Sequence, residues 1–352
     1  MRFLRIFAAI ILMSQILVNV IRGETVESVH TGHVSIIDGE GKTVFEVGDP
    51  ATVTYYRSAA KPFQAIPFIT SGAADAFGFT EKEIALACAS HSGEVVHVAI
   101  AARMLAKIGL SEADLKCGTH LPFSETDSKH MQRSGEEPTQ LHNNCSGKHA
   151  AMLAFAKHIG ADISTYDSSE NRIQKRILKC ISDFTEVPES DIAVGVDGCA
   201  APNFAVSIRA MAESAINLIR PTAFHESIQD ACSRIVSAMT EYPELIGGSN
   251  RLDTQLMQAA PGRIISKVGA DGVWLCGVLP CEKYPTGLAI ALKVADGDDH
   301  RARPVVAVEL LRRLGILTAA DLTDLSPMPI KSRRGDDVGR VEAAESLYSI
   351  TI

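Results

Sequence analysis

The sequence has few aromatic residues: they make up 5% of it, with a single tryptophan. Rings that stack on single-stranded nucleic acid or sugars are therefore in short supply. Basic clusters are lacking too. The 34 lysines and arginines are outnumbered by 42 acidic residues, the net charge is −8, and no Lys/Arg run stands out. That balance argues against a nucleic-acid partner. No internal repeat, low-complexity segment or Pro/Ser-rich linker is visible. The standard cofactor and hydrolase signatures are missing, namely G-x-G-x-x-G after a strand, HExxH, an EF-hand loop, a P-loop and G-x-S-x-G. The eight cysteines have no framework spacing in a chain of 352 residues. They read as reduced thiols of a cytosolic protein, a few of them metal ligands. What is present is 46% hydrophobic and 22% charged, which excludes disorder and suits one large domain or two smaller ones.

The N-terminus bears on location. Met1 to Arg5 followed by the apolar run Ile6 to Leu12 has the look of the n- and h-regions of a signal peptide, but no small-x-small cleavage site follows. Ser14, Gln15 and Asn19 interrupt the run, which falls short of the roughly 20 apolar residues of a spanning helix. Met13 stands just ahead of a strand-like stretch and is an alternative start. Residues 1–15 are thus read as an extension or leader. The expected location is the cytoplasm, with secretion if the apolar segment is a true signal. No membrane partner is expected.

Strand patterns come first, at Ile16–Ile21, His33–Ile37 and Lys42–Val47, with Asp38 to Gly41 as the turn between the last two. The middle is helical. Thr80-x-x-Glu83 is a capping box, Val95–Ile108 and His149–Ile159 carry apolar stripes that stop at glycine, and Asp167-x-x-Glu170 caps a helix running to about Phe184. Asp191–Val196 reads as a strand, and Asn203–Ile219 and Phe224–Thr240 as helices. Strands Arg263–Val268, Val273–Leu279 and Gly287–Val294 and the helix Val305–Leu314 follow. This order predicts an α/β chain of α+β-like type: a mainly antiparallel sheet completed by both chain ends, flanked by helices, with a helical region inserted.

Ser58-Ala-Ala-Lys61 is an S-x-x-K motif. One helical turn puts the lysine on the face of the serine, where its amine can reach the hydroxyl. Serine is a poor nucleophile until a base takes its proton, and lysine is such a base only when neutral, a state that burial or a neighbouring cation favours. A pattern this short also recurs by chance, as a capped helix with a solvated lysine, and Pro62 complicates a regular helix there. Two later segments raise its weight. Ser90-His91-Ser92 lies in the break between two predicted helices, and Lys267-Val268-Gly269 is a K-x-G at the end of a predicted strand. S-x-x-K, then S-x-polar, then K-x-G is the order of the Ser–Lys acyl-transfer enzymes. S-H-S in place of S-D-N is an imperfect fit.

A second constellation is Asn143-Asn-Cys145-Ser-Gly-Lys148-His149 with Asp197-Gly-Cys199. Cys145 and Lys148 fall at the start of a predicted helix, where the macrodipole favours a thiolate on Cys145 and disfavours a charged amine on Lys148. Cys199 at a strand end could complete a soft site suited to Zn²⁺, or these cysteines are buried and structural. The other cysteines, Cys88, Cys117, Cys180, Cys232, Cys276 and Cys281, read as core.

Taken together these stretches resemble the rhizobial-type (class 3, thermolabile) L-asparaginase II family. They are Arg22-Gly23 with Val26-Glu-Ser28 and His30, Arg57-Ser-Ala-Ala-Lys-Pro62, Cys88-Ala-Ser-His-Ser-Gly93, Cys117-Gly118, Asn144-Cys-Ser-Gly-Lys-His149, Asp197-Gly-Cys199 and Ser266-Lys-Val-Gly-Ala-Asp271. The likeness runs from about Leu17 to the end, leaving residues 16–352 as a single catalytic domain. It implies a serine-β-lactamase-like fold, a homodimer, and the pairs Ser58 with Lys61 and Ser90 with Lys267 in one site. It also implies zinc held by Cys145, Lys148 and Cys199 with Asp197 nearby. The activity implied is hydrolysis of L-asparagine to L-aspartate and ammonia through an acyl-enzyme, the zinc anchoring the α-amino or carboxylate group or ordering water. A glutaminase, a penicillin-binding-like hydrolase and a non-catalytic zinc-binding relative remain the alternatives.

Overall fold

The computed structural model describes residues 14–350. The leader-like run and Met13 lie outside the described residues.

Strands β1 (Gln15–Arg22), β2 (Thr25–Asp38) and β3 (Thr43–Val47) open the chain, and β4 (Val53–Tyr55) leads to a 3₁₀ turn at Arg57–Ala60. Helices α1 (Lys61–Thr70), α2 (Ala73–Ala76), α3 (Glu81–Ala87), α4 (Val95–Lys107), α5 (Glu125–Ser134), α6 (Ser146–His158) and α7 (Arg172–Thr185) follow. Then come β5 (Ala193–Val196), β6 (Pro202–Ser207), α8 (Ile208–Ile219), α9 (Glu226–Glu241), α10 (Pro243–Ile246) and α11 (Leu252–Ala259). The chain closes through β7 (Ile264–Val268), β8 (Val273–Val278), β9 (Leu288–Val294), α12 (Ala302–Arg313), β10 (Met328–Lys331) and β11 (Asp337–Ala343).

The main sheet runs β10-β11-β1-β2-β9-β8-β7, with β3 also on β2, and all its pairs are antiparallel. Both chain ends complete it, since β1 pairs with β11 as well as with β2. This is the mixed α/β plan that was expected, a mainly antiparallel sheet flanked by helices with a helical region inserted. Helix α8 packs across β2, β8 and β9, while α12 packs on β1, β8, β9 and β11. The helical region lies between β4 and β5. Helix α6 runs through it with Ser146–Ala156 buried all round, as a helix with apolar or small residues on every side must be. Gly147 is required there, because a Cβ would meet the Leu86 carbonyl oxygen at 2.3 Å.

The capping box at Thr80 and Glu83 forms as the sequence predicts. Asn203–Ile219 is not one helix. Its first residues form β6 against β4 and β5, and Ser207 caps α8 by accepting from Ala210 N at 3.1 Å. The cap of α7 is Asn171, accepting from Ile173 N at 3.1 Å, not the Asp167–Glu170 pair. β2 begins at Thr25, eight residues before the predicted start at His33. Cys281 is exposed in the β8–β9 turn, while the other seven cysteines are buried, and all eight are free. Among the described residues no helix is long and apolar enough to cross a membrane.

Candidate active site

The 3₁₀ turn that carries Ser58 is pinned from both sides. Arg57 has φ 52°, a left-handed conformation costing an L-residue about 1–2 kcal/mol. Its N–H donates to Asn203 Oδ1 at 3.0 Å, and its guanidinium bridges Asp197 at 2.8 Å and Asp271. Gly269 lets β7 close on the same turn, since a Cβ there would meet the Tyr56 carbonyl oxygen at 2.4 Å. Pro62 sits in the first turn of α1, where no N–H is needed, so it starts the helix instead of breaking it.

The Ser90 loop, between α3 and α4, is buried from Cys88 to Gly93. Ser90 N donates to the Ile246 carbonyl at 2.9 Å, His91 Nε2 pairs with Ser146 Oγ at 2.9 Å, and Ser92 Oγ donates to the Gly247 carbonyl at 2.8 Å. His91 and His97 stack at 5.0 Å, and burial pushes both imidazoles toward the neutral form.

Lys61 is 1% exposed and donates to the Ala89 carbonyl at 2.5 Å, Ser90 Oγ at 2.9 Å and the Asn144 carbonyl at 3.3 Å. The short lysine–serine contact therefore joins Lys61 to Ser90. Among the described residues Ser58 Oγ makes no hydrogen bond; Ser58 and Ser90 instead line one cavity of about 550 Å³, a size typical of small-molecule sites.

Lys267, on edge strand β7, is 2% exposed and donates to Asp253 Oδ2 at 3.2 Å and the Val268 carbonyl at 2.9 Å. Burial pushes its ammonium down to about 8; the Asp253 carboxylate opposes this and the charge of Lys61 adds to it. Asp253, itself 1% exposed, also accepts from Ser266 Oγ at 2.7 Å and Val268 N at 2.9 Å. Trp274 Nε1 donates to Ser266 Oγ at 2.9 Å and locks that arrangement. Sequence reasoning missed Asp253. It lies in the first turn of α11, where an acidic residue reads as an ordinary helix-start carboxylate.

Asn144, whose carbonyl accepts from Lys61, leads directly into the cysteine cluster. Lys148 Nζ donates to Cys199 Sγ at 3.0 Å. The Cys145 thiol and Lys148 both direct protons at Cys199, so the negative charge gathers there. A hydrogen bond from Cys145, against burial and helped by Lys148 and His149, holds Cys199 far below the usual thiol range. The Cys145 thiol is raised, by that same bond and by burial. Burial disfavours the Lys148 charge, but the Cys199 thiolate outweighs it and Lys148 is held as a cation. This reverses the helix-dipole expectation of a Cys145 thiolate beside a neutral Lys148: neighbouring side chains at 3 Å outweigh the dipole of the helix start. His149 Nδ1 pairs with the Tyr166 hydroxyl at 2.7 Å, while its buried Nε2 lies by Cys199 without a well-formed hydrogen bond. Among the described residues no three His, Cys, Asp or Glu side chains are spaced to hold a metal; the expected set supplies two cysteines and a lysine. Two sulfurs and the Lys148 nitrogen, which must give up its proton to bind a metal, are nonetheless a soft donor set that suits Zn²⁺, next to an orphaned imidazole nitrogen.

A family model for L-asparaginase II matches residues 18–343. The chain belongs to the L-asparaginase II family. As a member of it the protein is an amidohydrolase acting on a small molecule. No curated protein sequence matches the chain. Among solved structures, Mglu in its native form is similar at 15% identity, with 87% of this chain and 69% of that one covered and a TM-score of 0.46. A probable glutaminase from Bacillus subtilis complexed with 6-diazo-5-oxo-L-norleucine is similar at 11% identity, with 82% and 85% covered and a TM-score of 0.38. A Bacillus glutaminase is similar at 11% identity, with 90% and 99% covered and a TM-score of 0.39.

Proposed function

We propose that this amidohydrolase hydrolyses L-asparagine to L-aspartate and ammonia by two-step acyl transfer to serine. The observation that carries the reading is one cavity lined by both serines, with the buried amine of Lys61 on Ser90 Oγ at 2.9 Å. Ser58 Oγ, open to the cavity, attacks the side-chain amide carbon while Lys61 as free amine takes its proton. A C–O bond forms, and the proton passes from Lys61 through Ser90 to the amide nitrogen, so that the C–N bond breaks and ammonia leaves. Water then adds to the ester, its proton returns to Ser58, and aspartate is released. Lys267 is a buried cation of the same site, its charge favoured by the Asp253 carboxylate.

Cys145, Lys148 and Cys199 would hold Zn²⁺, with Asp197 beside them. When bound, the zinc supplies a fixed positive centre able to orient the substrate's polar end or a water.

The test is ammonia release from L-asparagine and L-glutamine side by side. Turnover of asparagine in clear preference to glutamine is the expected result. Preference for glutamine would replace the substrate and keep the chemistry, and folded protein that releases ammonia from neither would overturn the reading.

A further inference from the structure

Arg251, just before α11, lines the cavity that holds Ser58 and Ser90. The other charged side chains on that lining, Asp299 and Arg303, are bonded to each other, and Arg303 also donates to the Gly269 carbonyl. Arg57, beside Ser58, is already shared between Asp197 and Asp271. Arg251 alone among these, within the described residues, has no carboxylate or carbonyl acceptor. Asp253 and Asp299 favour its charge from a distance without bonding to it, against the larger effect of burial. Its guanidinium instead stacks on Phe123 at 5.1 Å. Phe123 stacks in turn on His120 at 4.7 Å, and His120 Nε2 accepts from Asn144 N at 3.0 Å. A chain of contacts thus fixes the guanidinium relative to Asn144, whose carbonyl accepts from Lys61.

A half-buried guanidinium held in place without an anion is costly, and its planar fork matches a carboxylate. We propose that Arg251 binds the α-carboxylate of the substrate, so that the cavity selects α-amino-acid amides over amides that lack this group. The proposal rests on the amidohydrolase reading above and deepens it. It leaves the zinc ligands to the amino group or water.

The experiment compares ammonia release from L-asparagine and from 3-aminopropanamide, which keeps the amide and the amine and lacks the carboxylate. Wild type, Arg251→Ala and Arg251→Lys are measured, each checked for folding by thermal melting. Loss of a charge-assisted, two-point contact should cut the preference for asparagine by about 10- to 100-fold in Arg251→Ala. Arg251→Lys, which keeps charge and stem, should recover part of it and covers the case in which the alanine variant does not fold. A preference unchanged in both variants would overturn the assignment of Arg251 while the amidohydrolase reading stands. Wild type inactive on both amides would overturn that reading, and this proposal with it.

Discussion

Asp253 is the residue on which the charge of the site turns. It is a buried carboxylate whose acceptor sites are taken by Lys267, Ser266 and the Val268 N–H. The groups that bear on Lys267 are Asp253 and Arg251 at the start of α11, Lys61 on α1 and, through its buried thiol, Cys88 after α3. With Lys267 titrating near 8, and acting as a cation, kcat/KM should fall on the alkaline side of about that pH. Asp253 favours the charged form, so Asp253→Asn should move the alkaline limb to lower pH as well as reduce kcat. A pH–rate profile for both proteins checks this; a limb that stays in place while activity falls would mark a purely structural carboxylate. At this scale the sequence was legible wherever partners are close along the chain. Ser58 and Lys61, one turn apart, could be paired on paper, whereas the contact of Lys61 with Ser90 spans 29 residues and has no local signature. Arg251 and Asp253 escaped for a related reason: their meaning depends on which strand and which cavity they face, and a single sequence does not carry that.

Among the elements, α3 has the firmest anchor. Glu83 is fully buried, accepts from Thr80 N at 2.7 Å, and pairs with Arg103 at 3.0 Å and Lys107 at 2.6 Å from α4. It therefore ties together the two helices that flank the Ser90 loop. Burial alone would raise its carboxyl, but the bonds from Lys107, Thr80 and Arg103 outweigh this and hold it low. Glu83 therefore contributes stability that is fully present above its ordinary value of 4.5 and lost as pH falls below it. Glu83→Gln should cost about 2–3 kcal/mol in urea unfolding at pH 7, with the difference from wild type shrinking in acid. A difference independent of pH would contradict the charge-based account. The capping box that names this helix start was readable because its partners are three residues apart. Helix α5 was not, since it has only Met131 buried and hence no apolar stripe. Strands β10 and β11 are half-exposed and find their register only against β1, from the other end of the chain. The β6–α8 junction was hidden because a buried strand and a buried helix carry the same continuous apolar run, and only Ser207 marks the change.

Across the whole molecule, the antiparallel sheet and the helical region meet at the site: β7 and the residue after it bring Lys267 and Gly269, α1 brings Lys61, the α3–α4 loop brings Ser90, and the start of α6 brings Cys145, its cap, and Lys148. The order of strands and helices was enough to predict that plan, because strand patterns stand on both sides of the helical region, at residues 16–47 and 263–294. The metal proposal is tested at this scale. Elemental analysis of the purified chain should find zinc, Cys199→Ser should lose it, and chelation should lower the melting temperature of wild type but not of that variant. Zinc-free protein with unchanged melting behaviour would remove the metal from the account. The family resemblance also implies a homodimer, which sedimentation reads directly. The activity itself depends on serine acyl transfer. Its most direct test is the rate of ammonia release from L-asparagine by Ser58→Ala beside wild type. A fall of about a thousandfold or more with the fold intact is expected, as when the nucleophile of a covalent mechanism is removed. Near-normal turnover in Ser58→Ala would contradict it.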